Sequence, residues 1–84
     1  MKAPCVYIIY SSVWDQYYVG STVDFENRLK EHNAGSNKST NGGSPWELKH
    51  LILCESVKQA RKEEFRIKKK KSRKYIEWLI DSAG

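Results

Sequence analysis

From Cys5 to Ser11 and again from Tyr17 to Thr22 the chain is rich in Val, Ile and Tyr, the composition of pleated, half-buried strands. Val13 to Gln16 between them has the length of a hairpin connection, so the two runs are expected to pair antiparallel. Asp24 then stands where an N-cap is needed for a helix through Asn33. Glu26 falls in its first turn, where a carboxylate opposes the helix dipole, and Gly35 follows its end. Ala34 to Pro45 shows no apolar recurrence, only Gly, Ser, Asn and Thr, and reads as a long loop of the kind that is functional or disordered more often than structural. Trp46 to Cys54 alternates as a third strand, with Trp46, Leu48, His50 and Ile52 on one face. Ser56 and Gln59 form a capping box for a helix from Val57 to about Lys70, and Ser72 caps a last helix ending near Ile80. The predicted order is β-β-α-β-α-α. It defines a small α+β domain: a three-stranded, mostly antiparallel sheet flanked by helices.

At 84 residues, 1–84 is read as one domain, and 39% hydrophobic with 12% aromatic residues is too rich in core-formers for a disordered basic tail. The longest apolar runs, Val6 to Tyr10 and Leu51 to Cys54, fall far short of the roughly 20 residues that cross a bilayer, so no membrane partner is expected. Ser11 and Ser12 interrupt the first apolar run before any small-residue cleavage site; no signal peptide is expected, and the expected compartment is the cytoplasm. Cys5 and Cys54 are too few for a disulfide framework and read as reduced thiols.

Charge changes the picture. Up to Pro45 the chain carries 4 bases and 4 acids, whereas from Trp46 onward there are 11 bases against 6 acids, so the whole net charge of +5 lies in the second half. Its focus is Lys68-Lys69-Lys70-Lys71-Ser72-Arg73-Lys74, with six cations in seven residues. Such a run attracts a polyanion and releases counterions on binding; nucleic acid is the obvious partner, a solvated helix face the bland reading. Lys38 and Thr40 in the loop, and Lys30 in the first helix, are further candidates for phosphate contact.

Polar residues also interrupt two helical faces. Phe25, Arg28, Leu29 and His32 stand at offsets 0, 3, 4 and 7 on one face of the first helix. In the second, Glu64 lies between Ala60 and Ile67 at offsets 0, 4 and 7. A sheltered carboxylate is normally paired, protonated or metal-bound, and the plain structural reading of Glu64 is an i,i+4 ion pair with Lys68. Tyr7 and Tyr18, one in each hairpin strand, can lie on one face, either as a core aromatic pair or as site residues.

These residues together resemble a known arrangement. Cys5-Val6-Tyr7 followed by Tyr18-Val19-Gly20 is similar to the paired motifs of the GIY-YIG nuclease family. Asp24 to Asn33 resembles its helix bearing an arginine and a histidine, and Ala60-Arg61-Lys62-Glu63-Glu64 with Ile67-Lys68 resembles the helix that supplies its metal-binding glutamate. The likeness runs from about Cys5 to Lys74 and is nearest to short, free-standing bacterial members similar to the N-terminal domain of the excision-repair nuclease subunit. Cys5 replaces the glycine of the first motif, and no counterpart of a late site asparagine found in larger members is present.

The resemblance implies a metal-dependent endonuclease that hydrolyses DNA phosphodiester bonds, structure-directed and acting in repair or processing of duplex, flap or branched substrates. Glu64 would hold a single Mg²⁺ or Mn²⁺ that keeps most of its waters and polarises a phosphate oxygen. Tyr7 would be the general base for water. A free phenol is ionised only about one part in a thousand at pH 7, so it needs a cation such as Arg28 to lower its pKa or a metal-bound water to relay its proton. Arg28 would also bind the scissile phosphate, Tyr18 would hydrogen-bond the water or phosphate, and His32 would orient a neighbour or shuttle a proton. Gly20 would keep the strand open to the DNA backbone. Lys30, Lys38, Thr40, Lys68, Lys69, Lys70, Lys71, Arg73 and Lys74 would form the footprint. Neutralising about five phosphates gives a log–log salt slope near −4.5. Three other readings compete: tyrosine as a covalent nucleophile, a non-catalytic nucleic-acid-binding module, and a subunit active only when a protein partner targets it.

Overall fold

The strand with apolar residues on both faces lies in the middle of the sheet, where both faces are covered. β1 (Lys2–Ser11) carries Val6 and Ile8 on one side and Tyr7 and Ile9 on the other, all buried. β2 (Gln16–Asp24) and β3 (Trp46–Leu53) pair with it antiparallel, giving the order β2-β1-β3. The computed structural model describes residues 2–83; α1 (Phe25–Ala34), α2 (Val57–Lys70) and α3 (Arg73–Ala83) complete the order β-β-α-β-α-α expected from the sequence.

The helices divide between the two faces. Val6, Ile8 and Val19 pack against Ala60 and Ile67 of α2, with Tyr75, Ile76, Leu79 and Ile80 of α3 closing that side. On the opposite face Tyr7, Ile9 and Trp46 pack with Tyr18, Leu51 and the α1 residues Phe25 and Leu29. The expected start signals operate locally. Asp24 accepts from the Asn27 amide at 3.3 Å, Ser56 from that of Gln59 at 3.0 Å and Ser72 from that of Tyr75 at 3.1 Å. Gly35 ends α1 at φ 78°, a left-handed conformation that glycine adopts without a Cβ penalty.

β3 departs from the expected alternation. Ile9 pairs with Leu48 but Ile8 pairs with His50, so Lys49 is an extra residue with no partner in β1. Such a bulge reverses every side chain beyond it. Trp46 and Leu48 therefore lie on the α1 side, and His50 and Ile52 on the α2–α3 side, rather than all four on one face.

The Gly- and Ser-rich connection before β3 is pinned rather than loose. Ser11 Oγ donates to the Gly43 carbonyl at 2.5 Å, Trp46 Nε1 donates to the Thr40 carbonyl at 3.1 Å, and Asn33 Oδ1 accepts from the Trp46 amide at 2.5 Å. Cys5 and Cys54 are both free thiols. Among the described residues, no helix is long and apolar enough to cross a membrane.

Candidate active site

Tyr7 sits directly opposite Gly20 in the hairpin, and its ring lies over that glycine. A Cβ at position 20 would stand 2.4 Å from Tyr7 Oη and 2.5 Å from Cζ, so the second motif's glycine is required by the ring of the first. The expectation that Gly20 opens the strand to an approaching backbone gives way to this one: the space is filled by Tyr7. Tyr18 lies on the same face, diagonal to Tyr7, with ring centroids 6.4 Å apart; Phe25 is 5.4 Å from Tyr7.

Tyr7 is only 1% exposed. Its hydroxyl oxygen is 2.8 Å from His32 Nε2, and His32 Nδ1 is 2.7 Å from Thr40 Oγ1, a buried chain across the α1 face. Thr40 in turn donates to the Asn37 carbonyl at 3.4 Å. That assignment makes Nδ1–H the donor to Thr40 and leaves Nε2 as acceptor of the Tyr7 proton. Thr40, expected at a phosphate, is fully buried and instead orients His32. Burial is also the first cause of two opposite shifts. It raises the Tyr7 phenol, reinforced by Tyr18 and only partly countered by Arg28, and it lowers His32 below its ordinary value, with Arg28 acting in the same sense. The cation expected to ready Tyr7 for ionisation is thus present and acts in the expected direction, but is outweighed.

Glu64 reaches the edge strand from α2. Ser21 Oγ donates to its Oε1 at 2.5 Å and Lys68 Nζ to its Oε2 at 2.6 Å. Partial burial pulls its pKa up, but these two donors, with Arg61 nearby, prevail and hold the carboxyl below its usual range. The i,i+4 pair with Lys68 is therefore formed, yet the same ammonium also stands 5.5 Å from the Tyr18 ring centroid, bridging the carboxylate to the tyrosine side of the sheet edge. Among the described residues no cluster of three or more His, Cys, Asp or Glu surrounds Glu64, so a hard divalent ion here would take this one carboxylate, displace Lys68 from Oε2 and keep most of its water shell.

Next to the Ser21–Glu64 contact a cleft of about 320 Å³ is lined by the polar Ser21, Thr22, Arg28 and Arg61 and by Val23, Val57 and Ala60. Arg28 is half-buried, with Nε 3.1 Å from Glu31. The structure thus brings Arg28 and Glu64 to the rim of β2, and Tyr7, Tyr18 and His32 to the face beneath it. Ser21 and Arg61 were not foreseen. Their signals were present: Ser21 follows Gly20 directly, and Arg61 precedes Glu64 by one helical turn.

The proposed footprint residues are spread out. Lys30, Lys38, Lys69, Lys71 and Lys74 are exposed, and Lys70 is exposed with its ammonium 5.3 Å from the Tyr75 ring. Arg73 is bound to Asp15 at 2.8 Å and to Glu77 at 3.3 Å, and Lys68 is held by Glu64, so two of the six clustered cations are already paired.

A family profile described as the GIY-YIG catalytic domain matches residues 3–76. The chain belongs to this family, which is a family of nucleases. A UPF0213 protein of Halobacterium salinarum is 43% identical over 53 residues, covering 62% of this chain and 69% of that protein. Another from Syntrophus aciditrophicus is 43% identical over 54 residues, 62% of each, and a third from Haloquadratum walsbyi is 39% identical over 64 residues, 75% of this chain and 71% of its own. No solved structure matches the chain.

Proposed function

We propose that this domain is a divalent-metal-dependent endonuclease that hydrolyses DNA backbone phosphodiesters with water as nucleophile, directed by substrate structure in DNA repair or processing. The observation that carries the reading is the ionised Glu64 at the β2 edge, next to a cleft holding Arg28 and Arg61 and a sheet face holding the Tyr7–His32 pair. One Mg²⁺ or Mn²⁺ held by Glu64 would supply Lewis-acid polarisation of a phosphate oxygen. Arg28 and Arg61, as planar forks on two elements, hold the phosphate and stabilise charge growing on its oxygens. Tyr18, below the Lys68 ammonium, hydrogen-bonds the water or the phosphate.

The raised Tyr7 pKa rules the roles of Tyr7 and His32. A phenolate resting in that pocket is disfavoured, so Tyr7 acts as a relay: its proton passes to His32 Nε2 as its oxygen receives one from the attacking water. The transfer from Tyr7 to His32 runs along a hydrogen bond already made, and the neutral imidazole favoured by burial is the form that can accept.

The test is cleavage of end-labelled duplex, flap, branched and single-stranded DNA in Mg²⁺, Mn²⁺ or EDTA, with native protein and Tyr7→Phe. Cutting that requires metal and is lost in Tyr7→Phe supports the reading. Binding without cutting in every lane refutes it in favour of a binding module or partner-dependent subunit, and a protein–DNA adduct resistant to denaturation replaces water with tyrosine as nucleophile.

A further inference from the structure

Apart from Arg61, the face of α2 turned away from Ala60, Glu64 and Ile67 carries no role in the chemistry above. Lys58, Arg61, Lys62, Phe65 and Lys69 follow one another at steps of 3, 1, 3 and 4 residues, which places them on one stripe of the helix. Phe65 is 67% exposed and Val57 45%, an unusual position for a phenyl ring amid cations. Val57, Lys58, Arg61, Lys62 and Phe65 line an open, shallow surface depression. Among the described residues none of these three cations is held in an ion pair, unlike Arg66 on the same helix, which is bound to Glu63 and Tyr75.

Arg61 and Val57 line both this depression and the cleft next to the Ser21–Glu64 contact, so the two form one continuous surface. A strand leaving the cleft past Arg61 would pass the ammonium groups of Lys58 and Lys62 and the exposed ring of Phe65. Unpaired cations around an exposed ring are what a single-stranded nucleic acid requires, because its phosphates need charge and its unstacked bases need a π-face. A duplex keeps its bases stacked inside and gains only from the cations.

We propose that this stripe is a single-strand subsite: the α2 face holds an unpaired stretch of the substrate beside the scissile phosphate, with one base stacked on Phe65. The inference rests on the nuclease reading and deepens it by naming substrates with an unpaired segment next to the cut, such as flaps, gaps or branches.

The test is fluorescence anisotropy in EDTA, which separates binding from cutting, using the full chain with a labelled single strand and a blunt duplex of equal length. Phe65→Ala is expected to weaken single-strand binding about tenfold while changing duplex binding less than twofold, and Phe65→Tyr to restore it. Replacing both Lys58 and Lys62 with Gln should make the log–log salt slope shallower by about 1.4 on the single strand and about 1.8 on the duplex. Equal losses on the two DNAs in Phe65→Ala, or none, overturn the proposal even if the native protein cuts. So does sedimentation showing a dimer that Phe65→Ala dissociates, which gives the face to a second copy. A native protein that never cuts, but whose single-strand binding still depends on Phe65, supports the subsite and refutes the nuclease reading alone.

Discussion

Gly20→Ala is the most demanding substitution to explain away, because its cost follows from three distances. The new methyl would stand 2.4 Å from Tyr7 Oη and 2.5 Å from Cζ, both closer than real Cβ contacts, and 3.0 Å from Cε2, at their limit. Tyr7 has little room to yield, since it is 1% exposed, with the Phe25, Tyr18 and His32 rings 5.4, 6.4 and 5.7 Å away between centroids. Overpacking of this kind costs about 1–3 kcal/mol. Displacing the phenol also breaks the 2.8 Å contact with His32 and leaves a buried ring nitrogen unpartnered, a further loss of about 1–3 kcal/mol. A combined loss of about 3 kcal/mol lowers Tm by about 12–24 °C in a domain of this size. Urea unfolding followed by tryptophan fluorescence measures it. Tyr7→Phe removes the atom at 2.4 Å but not the one at 2.5 Å, so in that background Gly20→Ala should cost less without becoming neutral. A loss below about 1 kcal/mol, or one unchanged by Tyr7→Phe, refutes the claim that Gly20 exists to admit Tyr7.

Three further outcomes follow from the same geometry. Thr40→Val removes the hydroxyl 2.7 Å from His32 Nδ1 and should destabilise by about 1–3 kcal/mol, while nitrogen NMR shows the His32 tautomer, held as Nδ1–H in the native protein, becoming mixed. Because burial holds His32 below its ordinary 6.5, the unfolded chain binds that proton more readily. Stability should therefore fall as pH drops below about 6.5, and the dependence should flatten in His32→Gln when urea midpoints are compared across that range. Glu64 works in the same direction at lower pH: its stabilisation is complete above its ordinary 4.5 and is lost on further acidification, a step that Ser21→Ala should move toward 4.5 in a carboxyl NMR titration.

What could be read in the sequence was local. Asp24, Ser56 and Ser72 cap helices by bonding amides three residues away, and the hairpin is set by two β-branched runs with a short gap, so periodicity and capping chemistry disclose them. The face of β3 was not legible, because one inserted residue, Lys49, reverses the alternation without leaving a compositional mark. Pairings across the chain were hidden for a related reason. Ser21 and Glu64 lie 43 residues apart, and Arg73 and Asp15 lie 58 apart, so nothing in either segment alone shows that one anchors a carboxylate or that the other is already neutralised. Thr40 misled in the same way: a polar residue in a Gly-rich loop looks exposed, and only the fold of that loop onto α1 turns its hydroxyl inward to His32.

The central claim is that Glu64, held ionised at the edge of β2, is the carboxylate through which phosphodiester hydrolysis depends on metal. The most direct measurement is the single-turnover cleavage rate of an end-labelled flap substrate in Mg²⁺, with saturating native protein and with Glu64→Gln, alongside the affinity of each for the same DNA in EDTA. The amide keeps the shape and the Ser21 contact but not the charge, so the account predicts a rate at least about a thousandfold lower, roughly 4 kcal/mol of barrier, with affinity within about twofold. A Glu64→Gln protein that cuts within about tenfold of the native rate contradicts it and moves the chemistry to another site.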